Sequence, residues 1–126
     1  MTVQNIYENS LALTLETKED NTDFEEFVVV HFNLLLQELF VRNNIARQRN
    51  GKEMLAIAPK VESREDENPY EWQFDSALTY GLAAKLLTAD EHGLEGTYLQ
   101  MYYAAVNSAL RAEFEKVEDV YAANSY

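Results

Sequence analysis

A chain of 126 residues with 47% hydrophobic side chains can close one core and has little room for two, and Gly 4 with Pro 2 excludes a fibrous or disordered composition. Lys plus Arg total 10 against 22 Asp plus Glu, a net charge of -12, so the overall field repels phosphate backbones and anionic lipid surfaces and argues against groove-reading nucleic-acid binding. The lack of cysteine removes disulfides, thiolate metal sites and cysteine nucleophiles, as a reducing cytoplasm permits.

Met1-Thr2-Val3-Gln4-Asn5 has no basic stretch leading into an apolar run, and nothing approaches the roughly 20 apolar residues of a membrane span, so neither a signal peptide nor a span is expected. Thr2 reads as an N-cap. Val3, Ile6, Tyr7, Ser10, Leu11 and Leu13 follow at helical spacing and predict a first helix over residues 3–17. After the polar break Lys18-Glu19-Asp20-Asn21, Thr22-Asp23-Phe24-Glu25 has capping-box form and predicts a second helix over 23–42.

On that second helix Phe24, Phe27, Val28, His31, Leu34, Leu35 and Leu39 form one stripe, and Val30, Phe32, Leu36 and Phe40 widen it beyond an ordinary amphipathic face. The surplus is expected to be either the hub of the core or a subunit contact. Residues 43–60 turn polar and then apolar at Met54-Leu55-Ala56-Ile57-Ala58, which reads as a loop with a short strand. Glu62 to Pro69 reads as an exposed acidic connector.

Asp75 or Ser76 is placed to cap a third helix over 75–88, on which Ala77, Gly81 and Ala84 make a strip narrow enough for another helix to approach. Thr88-Ala89-Asp90-Glu91 opens a fourth, over 90–117, with Leu94, Tyr98, Met101, Tyr102, Ala105, Ala109 and Ala112 on one face. The expected fold is all-α: a bundle of about four helices, with a connector over 43–71 that has room for a short strand or hairpin. The helical domain spans 1–117. Residues 118–126 are expected to be a tail that orders on a partner, with terminal disorder without function as the other reading.

Neither His31 nor His92 stands at ligand spacing from a second histidine or carboxylate, no phosphate-cradling glycine loop or nucleophile elbow occurs, and the carboxylate runs read as solvated loop. No catalytic residue, cofactor or metal is expected. The interface candidates are the basic cluster Arg42, Arg47, Arg49 and Lys52, and the late aromatics Tyr102, Tyr103, Tyr121 and Tyr126, because arginine and tyrosine anchor protein contacts well. For the basic cluster, a solvated loop after a helix C-terminus and a phosphate contact are the other readings.

The stretch Phe74-Asp75-Ser76-Ala77-Leu78-Thr79-Tyr80-Gly81-Leu82-Ala83-Ala84-Lys85-Leu86-Leu87 resembles the Ala-Leu-x-Tyr-Gly-Leu-Ala-Ala-x-Leu core of tailed-phage (siphophage-type) head–tail connector, or adaptor, proteins. An acidic break and a tyrosine-bearing helix follow in that family, matched by Asp90-Glu91 and by Tyr98, Tyr102 and Tyr103. The opening is similar too, with Ile6-Tyr7, Leu11-Ala12-Leu13, an acidic loop, and a helix ending Leu34-Leu35-Leu36-Gln37-Glu38-Leu39.

The resemblance implies a virion protein, made in the host bacterial cytoplasm, that forms a homo-oligomeric ring, commonly of twelve copies, beneath the portal protein. Such a ring meets a downstream stopper or tail-completion protein and extends a channel through which DNA passes without specific contact. By the same resemblance, residues 118–126 grip the portal and 42–60 meet neighbouring rings. A free cytoplasmic helical regulator, binding one protein partner through an exposed aromatic face, is the alternative from another class.

Overall fold

Thr2 begins α1 (Val3–Leu13) as expected: its hydroxyl accepts from the Asn5 N–H while the Asn5 side chain accepts from the Thr2 N–H, a reciprocal capping box. The computed structural model describes residues 1–14, 26–87 and 96–111. Positions 15–17 of the expected first helix, the Thr22–Glu25 box, the Thr88–Glu91 box and residues 112–126 lie outside them. Val3, Ile6, Tyr7 and Leu11 bury one face of α1. Ser10, fully buried among them, brings its hydroxyl within 3.0 Å of the Ile6 carbonyl and 2.9 Å of the Thr79 carbonyl, tying α1 to the third helix.

The second helix, α2 (Val28–Arg49), continues past its expected end at Arg42 through Asn43 and Asn44. It stops at a glycine. Gly51 adopts φ 78, its N–H donates to the Gln48 carbonyl at 3.1 Å and Lys52 N–H to the Arg47 carbonyl at 2.8 Å, the paired bonds of a Schellman cap. Residues 43–49, expected as loop, are therefore helix, and no strand forms at 54–58 or elsewhere among the described residues.

Asparagines on α2 replace the missing strand partner. Asn44 Oδ1 accepts from Leu55 N–H at 2.8 Å and Nδ2 donates to the Leu55 carbonyl at 3.0 Å; Asn33 makes the same pair with Val61, at 2.8 and 2.9 Å. The residues are 11 apart, about three helical turns, so both project from one side of α2. The connector is thus strapped antiparallel along the helix with its backbone satisfied at two points. It then reaches α1, where Val3 N–H donates to the Asp66 carbonyl at 2.9 Å and Gln4 N–H to the Arg64 carbonyl at 2.7 Å, filling donors left over at that helix start.

A 3-10 turn at Trp72–Phe74 leads into α3 (Asp75–Leu82), whose last turns, Ala83–Leu87, widen to π-helix. Asp75 is the first helical residue rather than the cap; Phe74 holds the cap position without a side-chain bond. Residues 96–111 form α4, inside the expected 90–117. The four helices pack as a small all-α bundle around Tyr7, Phe32, Leu35, Leu36, Phe74 and Leu78, all fully buried.

Gly81 is the tightest point. A Cβ there would stand 2.7 Å from Leu35 Cδ2 and 3.2 Å from Tyr102 Cδ1, so α2, α3 and α4 meet across a bare backbone. The strip Ala77, Gly81 and Ala84 is buried, in keeping with the close approach expected of it.

Two stability predictions follow from this packing. Gly81→Leu overpacks the junction at a cost of roughly 1–3 kcal/mol, and an unchanged melting temperature would refute the close approach. Asn44→Leu strands both polar groups of Leu55 for about 1–3 kcal/mol and should expose 52–60 to protease before the helices; equal cleavage of variant and parent would show that the strap is not needed.

Candidate interaction surfaces

The basic cluster separates into different roles. Arg47 Nη1 lies 3.7 Å from Glu71 Oε2, Lys52 Nζ is 3.0 Å from Oε1, and Asn50 Nδ2 donates to Oε1 at 2.9 Å, with the Glu71 side chain 5% exposed. Glu71 N–H donates to Asn43 Oδ1 at 2.9 Å. Arg47 and Lys52, read from sequence as contact residues, thus anchor the connector to the end of α2. Arg49 donates to the Leu110 carbonyl at 2.8 Å and so ties the end of α2 to α4.

Burial alone would raise Glu71, but hydrogen bonds from Asn50 and Lys52 and the charges of Lys52 and Arg47 outweigh it and hold the carboxyl below its usual range. A carboxyl with a depressed folded-state pKa stabilises fully above its unfolded value, and that contribution is lost as pH falls through the folded one. Glu71→Gln should therefore cost stability at neutral pH, about 1.5–3 kcal/mol for hydrogen bonds to a charged group. It should also lose less than the parent on acidification. Denaturant titrations at about pH 7 and below about pH 4 check this, and parallel losses in both proteins would sink it.

Arg42, exposed on α2, does meet the tyrosines. With Glu38 it faces Tyr102, Tyr103, Val106 and Asn107 of α4 across a cleft of about 420 Å³. Tyr102 is 3% exposed, so it is a core residue rather than a contact; burial, then the Glu38 charge and Tyr103, raise its pKa while Arg42 opposes. Tyr103, 55% exposed, is the aromatic that solvent or a partner can reach. Tyr121 and Tyr126 lie outside the described residues.

His31 is half-buried, and its Nδ1 has no hydrogen-bond partner; burial and then nearby Lys85 lower its pKa. Among the described residues no three His, Cys, Asp or Glu side chains gather as a metal site would need. No described helix is long and apolar enough to cross a membrane.

A further surface feature is on α2 itself. Leu34 and Phe27, expected on the core stripe, face solvent together with Val30, Val41 and Ile45, while Phe32 and Leu36 go inside. At about 100° per residue the exposed set falls in one stripe roughly opposite the buried set. The helix is therefore both hub and surface ridge. The second stripe is legible in the 3-, 4- and 7-residue spacings of Phe27, Val30, Leu34, Val41 and Ile45 once residues 43–49 are helix. Trp72 is also exposed.

Compared with protein-family models, curated proteins and solved structures, the chain matches none.

Proposed function

We propose that this chain is the subunit of a tailed-phage head–tail connector ring, docked beneath a portal protein, continuing the DNA channel towards a stopper or tail-completion protein. The observation that carries the reading is the α2 ridge. A helix that already supplies the core has four further apolar side chains in solvent, with Val41 68% and Val30 56% exposed, and Phe27 at its cap continues the stripe. A stable free monomer gains nothing from such a stripe, whereas a subunit of an assembly does.

The stretch that resembles the connector core supports the same reading, since its glycine, Gly81, sits where α3 meets α2 and α4. The charge of -12 suits a channel wall that does not hold passing DNA. Exposed Met54 and Ile57, at 57% and 79%, place an apolar tip on the connector, as a loop that meets a neighbouring ring requires. A free regulator binding one partner is the second reading, favoured by the Arg42–Tyr103 cleft.

Deleting residues 120–126 should leave thermal unfolding unchanged and abolish co-sedimentation with capsids that carry a portal but lack this component. Each weak tail contact is multiplied around a ring, so the loss should be all-or-none. Early unfolding of the truncated protein would place the tail in the core, and undiminished co-sedimentation would move attachment elsewhere. Full-length protein that ignores such capsids and binds one host protein in equimolar ratio would favour the regulator.

A further inference from the structure

We infer that a second copy of this chain receives the α2 ridge in the trough between α3 and α4, so that copies join head to tail. The inference rests on the assembly reading above and names the surface that covers the ridge. Two hollows, of about 200 and 250 Å³, share Ala105 and Ser108 and so form one trough. Trp72, 69% exposed, stands at one end, with Tyr80 and Met101 at the other.

Shape favours the pairing. The trough is floored by small side chains, Ala105 and Ala109, and the ridge presents branched ones, Leu34 and Val41. Leu34 and Val41 are about 10 Å apart along α2, and Met101 to Ala109 spans about 12 Å along α4, so both knobs enter one trough. An exposed tryptophan at the margin is the residue type that most often dominates a contact.

Charge decides between this contact and others on the same molecule. Two copies at -12 repel, so they can meet only through faces free of acids. Residues 96–111 contain no Asp or Glu, and the sole acid of α2, Glu38, is paired with Lys85. Arg42 and Arg49, both exposed, add positive charge on the flank of α2 beside the ridge. Acid-free trough and cation-edged ridge can thus come together without stacking carboxylates.

Position fixes the symmetry. The ridge is on the side of α2 away from the core, and Ser76 and Tyr80, which border the trough, are on the side of α3 away from Gly81 and Leu35. The two surfaces face in different directions, so the contact is heterologous, and repeating it gives a closed ring or a filament. One helix stripe in one short trough is well below the roughly 800 Å² per partner of a stable pair. Assembly should therefore depend on concentration and be reinforced by closure.

The absence of native cysteine makes the contact directly readable. Val41→Cys and Ser108→Cys alter exposed positions and should leave unfolding unchanged. Under mild oxidation each alone should give no cross-link, and their mixture should give cross-linked dimers and nothing larger. In parallel, Leu34→Asp and Ser108→Trp should each be monomeric at concentrations where the parent is oligomeric. Mixed in equal amounts they should yield a one-to-one dimer, and only at concentrations above those at which the parent assembles, because one intact ridge then meets one intact trough without the reinforcement of closure. A cross-link in Val41→Cys alone would mean that ridge pairs with ridge and would overturn the inference. So would a mixture without cross-link, or a parent monomeric at every concentration. Capsid co-sedimentation separates the two readings: binding without the mixed cross-link sinks the docking alone, and the cross-link in protein that ignores capsids sinks the connector reading alone.

Discussion

The fold depends on how a connector with no strand or helix of its own between 52 and 71 keeps its backbone satisfied against α2. Buried peptide groups must be paired, and a long irregular segment in a small bundle has no ladder to supply the partners. Side-chain amides fill that need: Asn33 and Asn44 each clasp both polar groups of one connector residue, and Asn43 accepts from Glu71. A carboxamide carries one acceptor and one donor in the same plane, so it can pair with a backbone amide as a neighbouring strand does. With the connector fixed in this way, its carbonyls at 64 and 66 are in place to receive the first donors of α1, and α1 in turn packs on α3.

The same amides explain what was legible in the sequence and what was not. Elements announced by local chemistry were readable: the Thr2 cap, the small side chains around Gly81, and the core-forming apolar residues of α2. The extension of α2 to Arg49 was hidden because Asn43 and Asn44 are weak helix formers and read as a break, whereas tertiary bonds compensate their low propensity. Gly51, at the first position where the left-handed cap could form, was the true end signal. In the interface cluster, exposure separates Arg42 from Arg47 and Tyr103 from Tyr102, and exposure depends on a partner, Glu71, that lies more than twenty residues downstream of Arg47. Periodicity does not reach that far.

The distribution of charge follows a division of labour that net charge alone conceals. Among the described residues, three exposed acids, Glu62, Glu65 and Glu67, stand together on the connector. Glu38 and Glu71 are neutralised within the protomer by Lys85 and by Lys52 with Arg47. Among the described residues, the face left without acids is 96–111 of α4, and the face left apolar is the far side of α2. In the proposed assembly, charge would supply selectivity by leaving these two described regions free of acids, and the apolar side chains would supply the attraction.

That arrangement separates what the apolar residues of α2 do for folding from what they do for association. Leu35 and Leu36 are fully buried, and truncating either opens a cavity beneath Gly81 or Tyr70, which bonds the Leu36 carbonyl. Val30, Leu34 and Val41 fill no cavity in the protomer, and exchanging them for polar residues removes little area that folding buries. Their apolar character is not explained by the stability of the single chain. An exposed apolar stripe on α2 raises the risk of aggregation without stabilising the monomer, and that imbalance is the observation on which the proposed assembly rests.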